Sequence, residues 1–216
     1  MPHAPRADAP IVVFDFDGTI ADSLDLAIQQ YNRVAPFLRT KRVARGDLAR
    51  LRKLDAKAAM RESGVSLWKV PLLVSAIRIS MRDHVDSVEP CVGIVAAVRE
   101  LHAAGVRCSI LSTNSTRNIE RFLDRHDLRV FEHVVGSASM FGKAREIRKL
   151  AARAGYDPAR IRYVGDEVRD LQAARAAGVR SIAVSWGYAD RDALAKHAPT
   201  HVIDRPEELL PIIRGS

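Results

Sequence analysis

The sequence predicts an α/β fold: a Rossmann-like, doubly wound parallel sheet with a small α-helical insert near its start. Three observations carry that prediction. From Ile94 onward, short apolar runs of strand length alternate with segments whose apolar residues recur at helical spacing. Repeated β-then-α units of this kind build a parallel sheet with helices on both faces. The strand-like runs are apolar nearly throughout rather than at every second position, as burial on both faces requires. Between the first strand and Pro90 the periodicity is helical, and no strand is apparent.

The elements follow in chain order. "IVVF" at 11–14 reads as a buried strand that runs straight into Asp15, Asp17, Gly18 and Thr19. "LDLAIQQYNRVAPFL", "GDLARLRKLDAKAAMRES" and "WKVPLLVSAIRISMRDHV" are helix-like, with Pro71 expected to start or kink a helix in the last. "IVAAVRELHAAG" is a helix stopped by Gly105 and "VRCSILS" a strand. "TRNIERFLDRHDL" is a helix, "FEHVVGS" a strand, and "KAREIRKLAARAG" a helix closing on Gly155. "IRYVGD" is a strand, "EVRDLQAARAAG" a helix closing on Gly178, "RSIAVSW" a strand, and "RPEELLPII" a short last helix. The division that results is a core of residues 1–21 and 89–216 and a helical insert of residues 22–88.

Composition narrows the class. Hydrophobic residues make up 47% and charged residues 28% of 216, which suits a soluble domain. No apolar run approaches a membrane span, so no membrane partner is expected. "MPHAPRADAP" has no apolar centre and reads as a loose tail rather than a signal peptide. Cys91 and Cys108 lack metal-ligand spacing and are too few for a disulfide framework, so a reducing cytoplasm is the expected location. The formal charge is +8; residues 39–89 hold twelve Lys/Arg against six Asp/Glu and so carry +6 of it. A solvated basic face, or a basic lid over a small anion, fits this run. Nucleic acid fits less well, because almost no aromatic residue is interleaved for base stacking.

In an open parallel sheet, ligands bind at the carboxyl ends of the strands. The residues expected there are Asp15 and Asp17, then Ser112, Thr113, Asn114 and Ser115, then Asp166 and Asp170, with Lys143 opening the preceding helix. Clustered carboxylates repel one another and would hold protons unless a cation joins them. A hard divalent cation such as Mg²⁺ takes oxygen ligands of this kind. Asp166 and Asp170, four apart at a helix start, also have a purely structural reading, since acids are favoured at a helix N-terminus.

These residues resemble the haloacid dehalogenase superfamily of aspartyl-phosphate enzymes, in its phosphatase branch. "DFDGT" is similar to the family's first motif, DxDxT; Thr113 with Asn114 is similar to the second, Lys143 in "FGKAREI" to the third, and "GDEVRD" to the fourth, GDxxxD. All four occur in the family's order. "GDEVRDLQAARAAGVRSIAVSWGY", "FLDRHDL", "SMFGKAREI" and "HVIDRPEELL" resemble the phosphoglycolate phosphatase-like group. The helical insert resembles the family's small cap, and is the least specific part of the match.

The resemblance implies a mechanism. Asp15 would be the nucleophile that forms an aspartyl-phosphate, and Asp17 the general acid–base. Mg²⁺ would be held by Asp15, the Asp17 main-chain carbonyl and Asp166, with Asp170 binding it through water or orienting Lys143. Thr113 and Lys143 would hold the phosphoryl oxygens, helped by main-chain N–H groups at Gly18 and by Asn114. The acid at position 17 sets the chain apart from the dehalogenases of the family. The expected function is hydrolysis of a small phosphorylated metabolite, phosphoglycolate first, by a monomer or homodimer. The alternatives are a phosphatase or phosphomutase for a sugar phosphate or nucleotide, or a catalytically silent binding protein. Thr19 is expected to brace the motif turn, Asn114 and Ser115 to cap a helix or touch phosphate, Glu167 to be a helix-start acid or to tune a metal, and Trp186 to pack. His102, His126 and His133 are expected at the surface or in packing. Trp68 and Arg78 fall in the insert, where one or two basic residues would read a second anionic group.

Overall fold

The computed structural model describes residues 10–215 apart from 55, 71, 74, 76–83 and 139–141. The expected loose tail, the Pro71 break and Arg78 lie outside the described residues.

Six parallel strands form one sheet: β1 Ile11–Phe14, β2 Arg107–Leu111, β3 His133–Val135, β4 Ile161–Gly165, β5 Arg180–Val184 and β6 His201–Ile203. Their spatial order is β3-β2-β1-β4-β5-β6. β1 pairs with β2 on one side and β4 on the other, so the winding reverses at β1. That reversal is where an open α/β sheet leaves a crevice at its carboxyl edge.

Successive side chains of a strand point to opposite faces, and both faces here are apolar. Val12, Phe14, Cys108, Ile110 and Val164 pack on one face. Helices α4 Ile94–Ala103, α5 Thr116–Arg125 and α9 Leu209–Gly215 cover it. Ile11, Val13, Leu111, Ile161 and Tyr163 pack on the other, under α6 Lys143–Ala154 and α7 Val168–Ala177. This two-sided burial is why the strands read as continuous apolar runs. Phe14 is fully buried against both β neighbours and the edge of Phe131; truncating such a ring costs about 3–5 kcal/mol.

Between β1 and α4 the described residues form helices and turns, including α1 Leu24–Val34, α2 Leu48–Leu51 and α3 Ala56–Glu62. α1 stops before Pro36, which has no N–H to continue the helical ladder, although Ala35 keeps helical angles. The single helix expected from "GDLARLRKLDAKAAMRES" is two helices, α2 and α3. Arg52 breaks it: its carbonyl accepts from the Asp190 N–H at 3.0 Å and its guanidinium donates to the Ser185 carbonyl at 3.0 Å. Those contacts tie the break to the loop after β5. The segment's ends meet, with Asp22 N–H donating to the Glu89 carbonyl at 2.8 Å and Ala21 bridged to Pro90. Two elements had no expectation, β6 and the short helix α8 Arg191–Ala195. Among the described residues no helix is long and apolar enough to cross a membrane.

Candidate active site

Asp15 follows β1 directly, and its N–H still donates to the Val164 carbonyl at 2.8 Å. The strand ladder therefore sets its position. Asp166 follows β4 in the same way, and the two strands are hydrogen-bonded neighbours. Asp170 lies in the first turn of α7. One carboxylate oxygen from each of Asp15, Asp166 and Asp170 lies within 4.8 Å of the others, and all three side chains are buried. Lys143, at the start of α6, donates to Asp15 Oδ2 at 2.9 Å and to Asp170 Oδ1 at 2.6 Å.

Four buried charges at this spacing perturb one another. Burial raises the Asp166 pKa well above the carboxylate range, reinforced by Glu167, Asp170 and Asp15. Burial raises Asp170 to about 6, against the opposing pull of Lys143. For Lys143 burial alone would favour the neutral amine, but Asp15 and Asp170 push its pKa well above the usual value. Three carboxylates against one ammonium leave negative charge uncompensated. Asp15 Oδ1 is buried with no hydrogen-bond partner among the described residues. An orphaned carboxylate oxygen inside a cluster of hard oxygen donors fits a divalent cation.

Asp17 faces another way. Its carboxylate accepts from the Ser23 hydroxyl at 2.9 Å and from the Asn114 amide at 3.2 and 3.1 Å. Burial, followed by the charge of Asp15, raises its pKa to about 6. The Asp17 side chain thus lies outside the three-acid cluster. Asn114 in turn accepts from Asn118 at 3.1 Å, which locks its amide orientation. Thr113 stands half-buried on the rim, with no side-chain hydrogen bond among the described residues.

Two glycines let the strand ends close up. Gly18 has φ +76°, and a Cβ there would sit 2.2 Å from Asp166 Oδ2. At Gly187 a Cβ would meet Asp166 at 2.3 Å and the Gly18 carbonyl at 2.4 Å. Thr19, fully buried, donates to Asp166 Oδ1 at 2.8 Å, so it braces the turn against the neighbouring strand end. Trp186 packs against the core and donates its indole N–H to the Thr19 carbonyl at 3.1 Å. Ser115 caps α5 by accepting from the Asn118 N–H. Glu167 pairs with Arg169.

Sequence reasoning missed Ser23, Gly187 and Tyr188. Tyr188 donates its main-chain N–H to Asp166 Oδ2 at 2.7 Å, and its hydroxyl lies 3.0 Å from that of Ser23. Within "SWGY" the sequence assigns an individual role only to the tryptophan. An aromatic and a glycine just past a strand end, opposite two acids, were the signal available.

The chain matches the family model described as haloacid dehalogenase-like hydrolase over residues 12–184. It is 34% identical over 203 residues to a phosphoglycolate phosphatase of Synechococcus elongatus, covering 94% of this chain and 96% of the relative. It is 27% identical to a pyrophosphatase PpaX of Bacillus mycoides, over 94% and 95% of the two chains. Its fold superimposes with a TM-score of 0.77 on a haloacid dehalogenase-like family hydrolase from Streptococcus pneumoniae, at 19% identity over 94% of this chain and 98% of the other. With four motifs converging on one strand edge and a family match spanning most of its length, this chain belongs to the haloacid dehalogenase-like hydrolases.

Proposed function

We propose that this chain is a Mg²⁺-dependent phosphatase that hydrolyses a small phosphorylated metabolite through an aspartyl-phosphate, with 2-phosphoglycolate the leading substrate. One observation carries the reading. Asp15, held by Lys143 on one oxygen, keeps the other oxygen buried and unpartnered, beside an acid at position 17 whose pKa lies near 6.

In the first step an Asp15 oxygen bonds to phosphorus as the ester P–O bond breaks, and the departing alkoxide takes the proton of Asp17. In the second, water attacks the aspartyl-phosphate and gives its proton to Asp17. The P–O bond to Asp15 breaks and inorganic phosphate leaves. A carboxylate nucleophile divides one hard displacement into two easier ones. An acid with a pKa near 6 serves both directions of proton transfer close to neutral pH. Asp15, Asp166, the Asp17 main-chain carbonyl and Asp170, directly or through water, would hold Mg²⁺. The bound ion would neutralise charge on the phosphoryl oxygens. Lys143, Thr113, Asn114 and the main chain at Gly18 would hold those oxygens; Lys143 is also paired with Asp15.

On this reading residues 1–21 and 89–216 form the catalytic core and 22–88 a cap. The adjacency of Asp22 and Glu89 supports that division. The Synechococcus elongatus relative, more similar than the pyrophosphatase, favours phosphoglycolate over pyrophosphate.

The test is phosphate release from a panel of phosphorylated metabolites and pyrophosphate, with Mg²⁺ and with a chelator. Release from 2-phosphoglycolate above all others, abolished reversibly by the chelator, is the expected result. Full activity in the chelator removes the metal from the reading. Folded protein inactive on every ester overturns it.

A further inference from the structure

Between the helical insert and the core the described residues line a half-open cavity of about 210 Å³. That is smaller than the roughly 300–1,000 Å³ of sites for drug-sized ligands, and suits a metabolite of a few heavy atoms. Its wall is largely apolar, with Leu24, Ile28 and Leu48 from the insert. Tyr188, which reaches the Ser23–Asp17 pair, is part of the same wall. The wall carries three charged side chains, Arg52, Arg169 and Glu167, for a net charge of +1. One arginine comes from the insert and the other from the first turn of α7.

Both arginines keep donors in reserve. Arg52 spends one N–H on the Ser185 carbonyl, and Arg169 pairs with Glu167. The Nε of each is buried and has no hydrogen-bond partner among the described residues. Buried donors are almost always paired in native proteins. A guanidinium offers five N–H groups in a planar fork that matches a carboxylate. Arg169 also lies within electrostatic reach of Asp15 and Asp170, so a ligand group bound to it is adjacent to the reacting centre.

We propose that Arg169 and Arg52 together recognise a carboxylate on the leaving group of the substrate, and so select 2-phosphoglycolate over phosphate esters with neutral leaving groups. The proposal rests on the phosphatase reading and assigns its specificity. A neutral leaving group would forgo the charged hydrogen bonds that a carboxylate gains from the two guanidinium groups.

The experiment compares kcat/KM for 2-phosphoglycolate and for ethyl phosphate in the wild type, Arg169→Gln, Arg52→Gln and Arg169→Lys. The ratio of the two constants is expected to fall tenfold or more in each Gln variant, and by less in Arg169→Lys, which keeps the charge but loses the fork. A ratio within twofold of wild type in both folded Gln variants overturns the proposal. Should the variants not fold, wild-type hydrolysis of ethyl phosphate is measured with glycolate or ethylene glycol added. Inhibition by glycolate alone supports the proposal, and equal or absent inhibition by the two overturns it. Wild type that hydrolyses neither ester overturns the phosphatase reading itself, an outcome distinct from an unchanged ratio.

Discussion

Lys143 donates to the Asp170 carboxylate at 2.6 Å, with both side chains sealed from solvent. The same ammonium reaches Asp15, so one cation holds an acid at the end of β1 and another in the first turn of α7. Replacing it by methionine leaves buried carboxylates without their counter-charge. Breaking a buried pair costs about 3–5 kcal/mol, and Lys143→Met is expected to lose about that much stability in metal-free protein and to lose turnover. Urea unfolding followed by circular dichroism, with phosphate release, checks both. A variant as stable as wild type contradicts the electrostatic account.

Gly187→Ala tests steric closure rather than charge. The added Cβ would press on Asp166 at 2.3 Å and on the Gly18 carbonyl at 2.4 Å, well inside the 3.4–4 Å of ordinary contact. Overpacking of this kind costs about 1–3 kcal/mol. The variant is expected to melt lower and to need more Mg²⁺ for half-maximal activity. An unchanged Mg²⁺ requirement would show that Asp166 has room to move.

Tyr188→Phe removes the hydroxyl beside Ser23 but keeps the main-chain N–H bonded to Asp166. Ser23→Ala removes the direct donor to Asp17. A lost hydrogen bond is worth about 0.5–1.5 kcal/mol, which is roughly 2- to 13-fold in rate. Each variant is expected to lower kcat within that range. The double variant is expected to lose little more than Ser23→Ala alone, because the tyrosine acts through the serine. Fully additive losses would separate the two.

Acidity and metal are coupled. Asp17 and Asp170 are raised to about 6, by burial first, and burial also raises Asp166 well above its usual value. An unfolded aspartate titrates near 3.9. From about pH 4 to pH 6 the unfolded chain has therefore released protons that the folded protein still holds. These groups make metal-free protein less stable as pH rises through that window; below about pH 4 both states are protonated and the effect vanishes. A divalent cation favours the ionised acids and opposes the loss. The rise in Tm on adding Mg²⁺, relative to chelator, is expected to grow between pH 4 and pH 7. A rise that stays constant or shrinks contradicts the assignment of these acids.

The parts legible in the sequence are those with a local signature. Strands buried on both faces announce themselves as apolar runs, and α6 and α7 carry glycine at their ends, Gly155 and Gly178, both left-handed. Strand ends place Asp15 and Asp166 on one edge, and helix starts bring Asp170 and Lys143 to it. What stayed hidden depends on distance along the chain. Asn114 reads as a phosphate ligand or a helix cap until its amide is seen on Asp17, 97 residues away. Tyr188 meets Ser23 across 165 residues. Arg52 sits in a helix-like pattern, and its bonds to Ser185 and Asp190 fall where α2 ends. β6 is three residues, mostly half-buried and bounded by polar neighbours, too short for periodicity to register.

The bridge between Ala21 and Pro90 makes the helical segment a cassette. Its two chain crossings lie side by side, so any replacement whose ends come together can be spliced in without shifting the register of β1 against its neighbours. Closing such a loop costs little more as it lengthens, about 0.6 kcal/mol per doubling. Transplanting residues 22–88 between relatives, with Ser23 retained for its bond to Asp17, is then a direct way to move substrate preference while the reacting centre is kept.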